Sequence, residues 1–192
     1  MAIVWSWAVT PSLKPVIIGQ TVNMRFLTIV RHCEAEPGSS DYDRVLTAAG
    51  RAQGRHLREQ VETGELSAFG PATALVSSAS RTRETYALAF AGTPFVRALE
   101  TSDLIYNGKR DVSATDLLSA LAEIDPVTEN LLVVAHNPSV YELAATLADE
   151  LPETLIRLGF AVGSAVVIEI RDDQPISLEK GRVIAVVEAP LT

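Results

Sequence analysis

The chain has 192 residues, of which 47% are hydrophobic and 21% are charged, and its formal net charge is -8. These values are typical of one sizeable globular domain with its own core, and they argue against a disordered chain. The acidic balance argues against nucleic acid and anionic membranes as partners, and the single cysteine excludes an internal disulfide and favours a cytoplasmic location.

Residues 1–23 differ in character from the rest of the chain. They are apolar, they include Trp5 and Trp7, and they lack the basic segment that precedes the apolar part of a secretory signal. We therefore predict an N-terminal extension or arm over residues 1–23 and a single domain over residues 24–192. No apolar stretch approaches the ~20 residues that a membrane helix needs.

Strand and helix patterns alternate along this domain. The predicted strands cover residues 26–30, 74–77, 95–99, 131–135, 165–170 and 183–187. The predicted helices run from the Thr47 cap to residue 61, over residues 79–90, from a capping box at residues 113–116 to residue 124, and over residues 141–151. Residues 100–109 are predicted to form a loop. The alternation predicts an α/β fold, a three-layer α/β/α sandwich with a mostly parallel central sheet.

Basic side chains follow three of the buried strands. Arg31 and His32 come directly after residues 26–30, Arg81 lies in the first helical turn after residues 74–77, and His136 follows residues 131–135. In open α/β sheets, ligands bind at the carboxyl ends of the strands. We therefore expect two arginines and two histidines to converge at one edge of the sheet. Such a set suits an anion, most simply a phosphoryl group.

These four residues also suit phosphoryl transfer. A neutral imidazole nitrogen of His32 can attack phosphorus and form a phosphohistidine, which divides one difficult displacement into two easier ones. Arg31, Arg81 and His136 can hold the oxygens of the transferring group, on which negative charge is spread. Because protein cations neutralise that charge, we expect neither a metal ion nor a cofactor.

Four short motifs occur in order along the chain. They are Arg31-His32-Cys33-Glu34, the segment from Asp43 to Gly50, the segment from Ser77 to Thr85, and Val134-Ala135-His136-Asn137-Pro138. Over residues 25 to 170 the chain resembles, through these motifs, the histidine phosphatase superfamily and, within it, the small SixA-like phosphohistidine phosphatases. The resemblance implies a phosphoglycerate mutase-like fold. It also implies His32 as the nucleophile, with Arg31, Arg81 and His136 as phosphate ligands.

Two features depart from the pattern of this family. Cys33 stands where the family usually has glycine or alanine, and a small apolar thiol there either fills the space or crowds the pocket. The mutase-like branch has a glutamate acid in the loop after the third strand. Glu100 and Asp103 are the candidates for that acid, but residues 99–106 look more like the corresponding SixA-like segment.

Two further residues are candidates for substrate binding. Arg44 either lines the pocket or pairs with a nearby aspartate, Asp41 or Asp43, and Asn137 directly follows His136. The expected function is a metal-independent phosphatase that acts on a phosphorylated substrate, most simply a phosphohistidine protein. A small-molecule phosphomonoesterase or phosphomutase of the same superfamily is one alternative. A non-catalytic phosphate-binding module, which Cys33 would suit, is another.

Overall fold

A computed structural model describes residues 26–38, 40–108, 110–124, 129–170 and 180–190. The predicted N-terminal extension lies outside these residues. The elements are β1 (Phe26–Arg31), α1 (Ala48–Glu62), β2 (Ala72–Ser77), α2 (Ser80–Ala89), β3 (Val96–Ser102), α3 (Ala114–Ala122), β4 (Asn130–Ala135), α4 (Ser139–Leu147), α5 (Glu153–Leu158), β5 (Ala165–Glu169) and β6 (Arg182–Val187). Among the described residues, none of the helices combines the length and apolar character that a membrane crossing requires.

The strands form one six-stranded sheet in the order β3-β2-β4-β1-β5-β6. β3, β2, β4 and β1 are parallel to their neighbours, whereas β5 is antiparallel to both β1 and β6. The predicted mostly parallel sheet is therefore confirmed. Because β2, β4 and β1 are adjacent and parallel, the residues that follow them meet at one edge of the sheet.

Two hydrophobic clusters cover the two faces of this sheet. In β4, Leu131 and Val133 lie in one cluster, and Leu132 and Val134 lie in the other. Successive residues of a strand point to opposite faces, so the unbroken apolar run of β4 serves both. The first cluster takes its helical residues from α3, α4 and α5, and the second from α1 and α2. The arrangement is the predicted three-layer sandwich.

Three elements differ from the sequence-based prediction. Residues 100–102 were predicted as loop but belong to β3, a largely exposed edge strand whose side chains lack the apolar pattern of a buried one. The predicted helix over residues 141–151 instead spans Ser139–Leu147. It ends early because Ala148 adopts an extended backbone and forms a β-bridge with Gly181. The short helix α5 was not predicted.

Gly50 allows the start of α1 to pack closely against the segment that follows His32. A Cβ atom at Gly50 would lie 2.0 Å from the carbonyl oxygen of Glu34, which is backbone and cannot move away freely. We expect Gly50→Ala to lower the free energy of unfolding by about 1–3 kcal/mol despite the better helix propensity of alanine. Urea denaturation measures this change.

The matched control is Gly54→Ala, one turn further along α1. The nearest atom to a Cβ there is the Leu88 Cβ, at 3.0 Å, so that a shift of a few tenths of an ångström between α1 and α2 relieves the contact, whereas the 2.0 Å approach at Gly50 requires a much larger one. This variant is expected to stay within ~1 kcal/mol of the wild type. Equal stability of the two variants would contradict the steric role of Gly50.

Candidate active site

The ends of β1, β2 and β4 bring the four predicted residues together. The rings of His32 and His136 lie with their centroids 5.1 Å apart. The Arg81 Nε donates a hydrogen bond to Nε2 of His32 at 3.3 Å, from the first turn of α2. Arg31, the last residue of β1, is half-buried beside them. The convergence that the strand ends predict is therefore what the structure shows.

His32 is held as a neutral imidazole with its Nε2 lone pair facing Arg81. Its Nδ1 lies 2.8 Å from the carbonyl oxygen of Cys33, so this nitrogen carries the proton and donates it. Burial, reinforced by the charges of Arg81, Arg31 and Arg44 and opposed by the Cys33 hydrogen bond, lowers the pKa of His32 from its ordinary value to about 4. At neutral pH the side chain is therefore a free base.

His136 has one ring nitrogen without a hydrogen-bond partner. Its Nε2 lies 2.8 Å from the hydroxyl of Ser77, the last residue of β2, while its Nδ1 is buried without a hydrogen-bond partner. Burial, followed by the proximity of His32, lowers the pKa of His136 below its usual range. When the Ser77 hydroxyl donates to Nε2, the neutral ring keeps its proton on Nδ1. His136 then carries on Nδ1 an N–H that no described protein group accepts.

Arg31 also has a buried nitrogen without a partner. Its Nη1 donates to the carbonyl oxygen of Phe160 at 2.7 Å, and Asn137 Nδ2 donates to the same oxygen at 3.1 Å. The Arg31 Nε and the Asn137 Oδ1 are both buried and unpaired. Buried donors are rarely left without a partner, and Arg31 Nε and His136 Nδ1 are two donors that no described protein group satisfies.

Arg81 is fixed by contacts that sequence reasoning missed. The residue is only 4% exposed, and its guanidinium donates from Nη2 to the Asp41 carboxylate at 2.9 Å and from Nη1 to the Asp41 carbonyl oxygen. The Tyr106 hydroxyl donates to the same carboxylate at 3.1 Å. No local pattern marks Asp41 for this role, because it lies 40 residues from Arg81 along the chain.

Arg44, Glu100 and Asp103 were the other candidates. Arg44 pairs with Asp41, with 3.0 Å between Nη1 and Oδ1, so the structure favours the pairing alternative. Glu100 lies exposed on the edge strand β3, and Asp103 is exposed in the loop that follows. Within the part of the chain that the structure describes, no hydrogen bond or ion pair connects Glu100 or Asp103 to the two histidines.

Cys33 and Glu34 have structural contacts rather than contacts in the site. Cys33 is fully buried in the hydrophobic cluster beneath α1 and α2, and its backbone N–H donates to the Thr85 hydroxyl at 2.9 Å. The thiol therefore fills space in the core, which is one of the two alternatives predicted for it, and does not crowd the pocket. Glu34 accepts a hydrogen bond from the hydroxyl of Thr47, the N-cap of α1. In the described ranges, no three His, Cys, Asp or Glu side chains are placed to hold a metal ion.

The two buried histidines predict that the fold loses stability in mild acid. Below pH 6.5, the ordinary pKa of histidine, His32 binds a proton in the unfolded chain. In the folded chain it stays unprotonated until the pH falls to about 4. Stability is therefore full above pH 6.5 and falls toward pH 4, by up to about 1.4 kcal/mol per pH unit for each histidine. Urea denaturation at pH 7, 6 and 5 measures the slope. His32→Ala should reduce the slope, and an unchanged slope in that variant would contradict the prediction.

Comparisons with known proteins identify the fold. No protein-family model and no curated protein matches this sequence. The structure of a protein described as a SixA phosphohistidine phosphatase, from Nakamurella multipartitia, has a TM-score of 0.69 at 20% identity and covers 86% of this chain and 96% of that one. The structure of a protein histidine phosphatase SixA complexed with tungstate has a TM-score of 0.65 at 20% identity. It covers 84% of this chain and 95% of that one. The structure of a protein described as an α-ribazole-5'-P phosphatase, from Escherichia coli, has a TM-score of 0.59 at 16% identity. It covers 85% of this chain and 97% of that one. The resemblance is therefore confirmed at the level of the phosphoglycerate mutase-like fold.

Proposed function

We propose that this chain, which has the fold of the histidine phosphatases, is a metal-independent phosphatase that acts through a phosphohistidine on His32. The observation that carries the proposal is the pairing of a free-base Nε2 on His32 with the guanidinium of Arg81 at 3.3 Å. A bound phosphoryl oxygen would take over the Arg81 N–H, and the Nε2 lone pair would then face phosphorus.

The other site residues supply the charge stabilisation that such a transfer needs. The unpaired donors on Arg31 and His136 suit two further oxygens of the phosphoryl group. In the first step, a bond forms between His32 Nε2 and phosphorus while the bond to the leaving group breaks. In the second step, water attacks the phosphohistidine, releases inorganic phosphate and restores the free imidazole.

A phosphohistidine protein in the cytoplasm is the substrate that this site suits best. Glu100 and Asp103, the candidate leaving-group acids, are exposed and are not hydrogen-bonded to either histidine in the described structure. A phosphoramidate needs less help than an ester, because its leaving imidazole nitrogen is itself readily protonated. The neighbours described as SixA phosphohistidine phosphatases, one of them complexed with tungstate, support the same substrate class.

Phosphate release by the full chain tests this function. A phosphohistidine protein, a sugar phosphate and an aryl phosphate are compared in the presence of a metal chelator, and the phosphohistidine protein is expected to give the highest kcat/KM. Faster turnover of the sugar phosphate would indicate a small-molecule phosphatase instead. Binding of vanadate without turnover of any substrate would indicate a non-catalytic phosphate-binding module.

A further inference from the structure

Ser77 is hydrogen-bonded to the ring of His136 but has no part in the transfer steps described above. It is the last residue of β2, it has no exposed surface, and it lies 59 residues from His136 along the chain. Its Oγ is 2.8 Å from Nε2 of His136, which is the only hydrogen-bond partner of this hydroxyl among the described residues. Its carbonyl oxygen accepts a hydrogen bond from the Thr82 hydroxyl at 2.7 Å. The strand and this contact together fix the serine beside the ring.

The hydrogen bond between Ser77 and His136 has two possible directions, and they leave different groups unpaired. If His136 donated from Nε2, the Ser77 O–H would have no acceptor and the Nδ1 lone pair would have no donor in the described part of the chain. If Ser77 donates, its O–H and the Nε2 lone pair satisfy each other, and only the N–H at Nδ1 has no partner there. The second direction leaves fewer buried groups unpaired, and the group it leaves is one that an oxyanion satisfies.

This contact makes the two histidines of the site chemically different. In His32, the Nδ1 proton is donated to the carbonyl oxygen of Cys33 at 2.8 Å, and the Nε2 lone pair accepts from Arg81 at 3.3 Å. A bound phosphoryl oxygen would take over that Arg81 N–H and free the lone pair. In His136 the Nε2 lone pair stays occupied by Ser77, which is fully buried. Two rings with centroids 5.1 Å apart therefore offer a ligand different groups, one a lone pair and the other an N–H.

We propose that Ser77 is a positioning residue that fixes the proton of His136 on Nδ1 and so keeps this ring a hydrogen-bond donor to the phosphoryl group. The inference rests on the proposed phosphatase function. Without the hydroxyl, both ring nitrogens lack a partner among the described residues, and the proton of the neutral ring is free to move to Nε2. The Nδ1 lone pair of that form would oppose the negative charge on the oxygens of the transferring group. Ser77 thereby leaves the nucleophilic role to His32 alone.

Heteronuclear NMR of the full chain, labelled at the histidine rings, tests the tautomer directly. The chain has only three histidines, and His136→Ala identifies the signals of that ring. At neutral pH, the wild type should show a protonated Nδ1 and an unprotonated Nε2 for His136. Ser77→Ala should show a substantial fraction of the form with the proton on Nε2. A wild-type ring with its proton on Nε2, or a tautomer that is the same in Ser77→Ala, would overturn the inference.

Steady-state kinetics with phosphoimidazole test the consequence for the reaction. Ser77→Ala is expected to lower kcat/KM by about 10- to 100-fold, as loss of a partner that orients an imidazole typically does. The loss should lie mainly in kcat, because the Nδ1–H contact strengthens as charge develops. In the His136→Ala background, the same substitution should change kcat/KM by less than twofold, because the hydroxyl acts through the ring. A full second loss in that background would assign Ser77 a merely structural role.

Ser139→Ala is the matched control. Ser139 is equally buried, and its hydroxyl also donates to His136, at 2.7 Å, but to the backbone carbonyl oxygen rather than to the ring. Its replacement should leave the tautomer unchanged and kcat/KM within about threefold of the wild type, the size expected for one neutral hydrogen bond. A shift of the tautomer in Ser139→Ala equal to that in Ser77→Ala would show that general loosening around His136 is the cause, and would overturn the specific role of Ser77.

Failure of this inference differs from failure of the proposed function. A wild-type chain that hydrolyses neither phosphoimidazole nor phenyl phosphate would refute the phosphatase function, and the positioning role with it. A wild-type chain that hydrolyses them, together with a Ser77→Ala variant of unchanged kcat/KM, would overturn the role of Ser77 alone.

Discussion

Replacing His32 with alanine is expected to lower phosphate release by at least ~10³-fold, because no other side chain in the site can form the phosphoenzyme. Arg31 and Arg81 are cations, and with the Ser77 hydroxyl donating to its Nε2 at 2.8 Å, the neutral His136 ring carries its proton on Nδ1 and has no free lone pair. The His32→Ala site should therefore still bind an oxyanion but have no route through a covalent intermediate. Phosphate release and vanadate binding, measured on the same preparation, separate these two properties.

The protein contains its own control for this experiment. The chain has three histidines, and the third, His56, lies on α1 with 30% of its side chain exposed, 3.9 Å from Glu59. His56→Ala should retain wild-type turnover. Rapid quenching should also trap an acid-labile phosphorylated form of the wild type and of His56→Ala, but not of His32→Ala. Wild-type activity in His32→Ala would refute the mechanism.

Arg81→Lys is expected to lower kcat/KM by about 10²- to 10³-fold although it keeps the positive charge. The guanidinium uses both terminal nitrogens to bind Asp41 and its Nε to reach His32, three donors with different directions. A lysine ammonium is a single point of charge and cannot hold the Asp41 contacts and reach His32 Nε2 together. Steady-state kinetics and the inhibition constant of vanadate measure the loss.

Arg83→Lys provides the comparison on the same helix. Arg83 lies two residues further along α2 and is exposed to solvent, as expected of an arginine without a role in the site. Its replacement should change kcat/KM by less than twofold. If Arg81→Lys behaved like Arg83→Lys, the directional contacts of Arg81 would have no part in catalysis, and charge alone would suffice.

The sequence predicted the strand ends because buried strands have a strong local signal. The apolar run of β4 stops abruptly at His136, and β1 stops at Arg31, so the position of each basic residue follows from its own neighbours. β3 was predicted too short because it lacks this signal. It is an edge strand, mostly exposed, and its pairing with β2 is fixed by backbone hydrogen bonds that leave no apolar pattern.

The contacts that orient the site could not be predicted in this way. Asp41 reaches Arg81 across 40 residues, Ser77 reaches His136 across 59, and the carbonyl of Phe160 reaches Arg31 across 129. An aspartate in a polar loop, a serine at a strand end and a backbone carbonyl are common features. Only the folded structure shows which aspartate, which serine and which backbone carbonyl make these contacts.

The burial of Cys33 has a practical consequence. This residue directly follows the proposed nucleophile, yet it has no exposed surface, and burial raises the pKa of its thiol to about 11. A neutral, enclosed thiol reacts slowly with electrophiles. Because it is the sole cysteine of the chain, iodoacetamide and dilute peroxide should leave turnover intact under conditions that inactivate thiolate-dependent phosphatases. The protein should therefore tolerate storage without reducing agents.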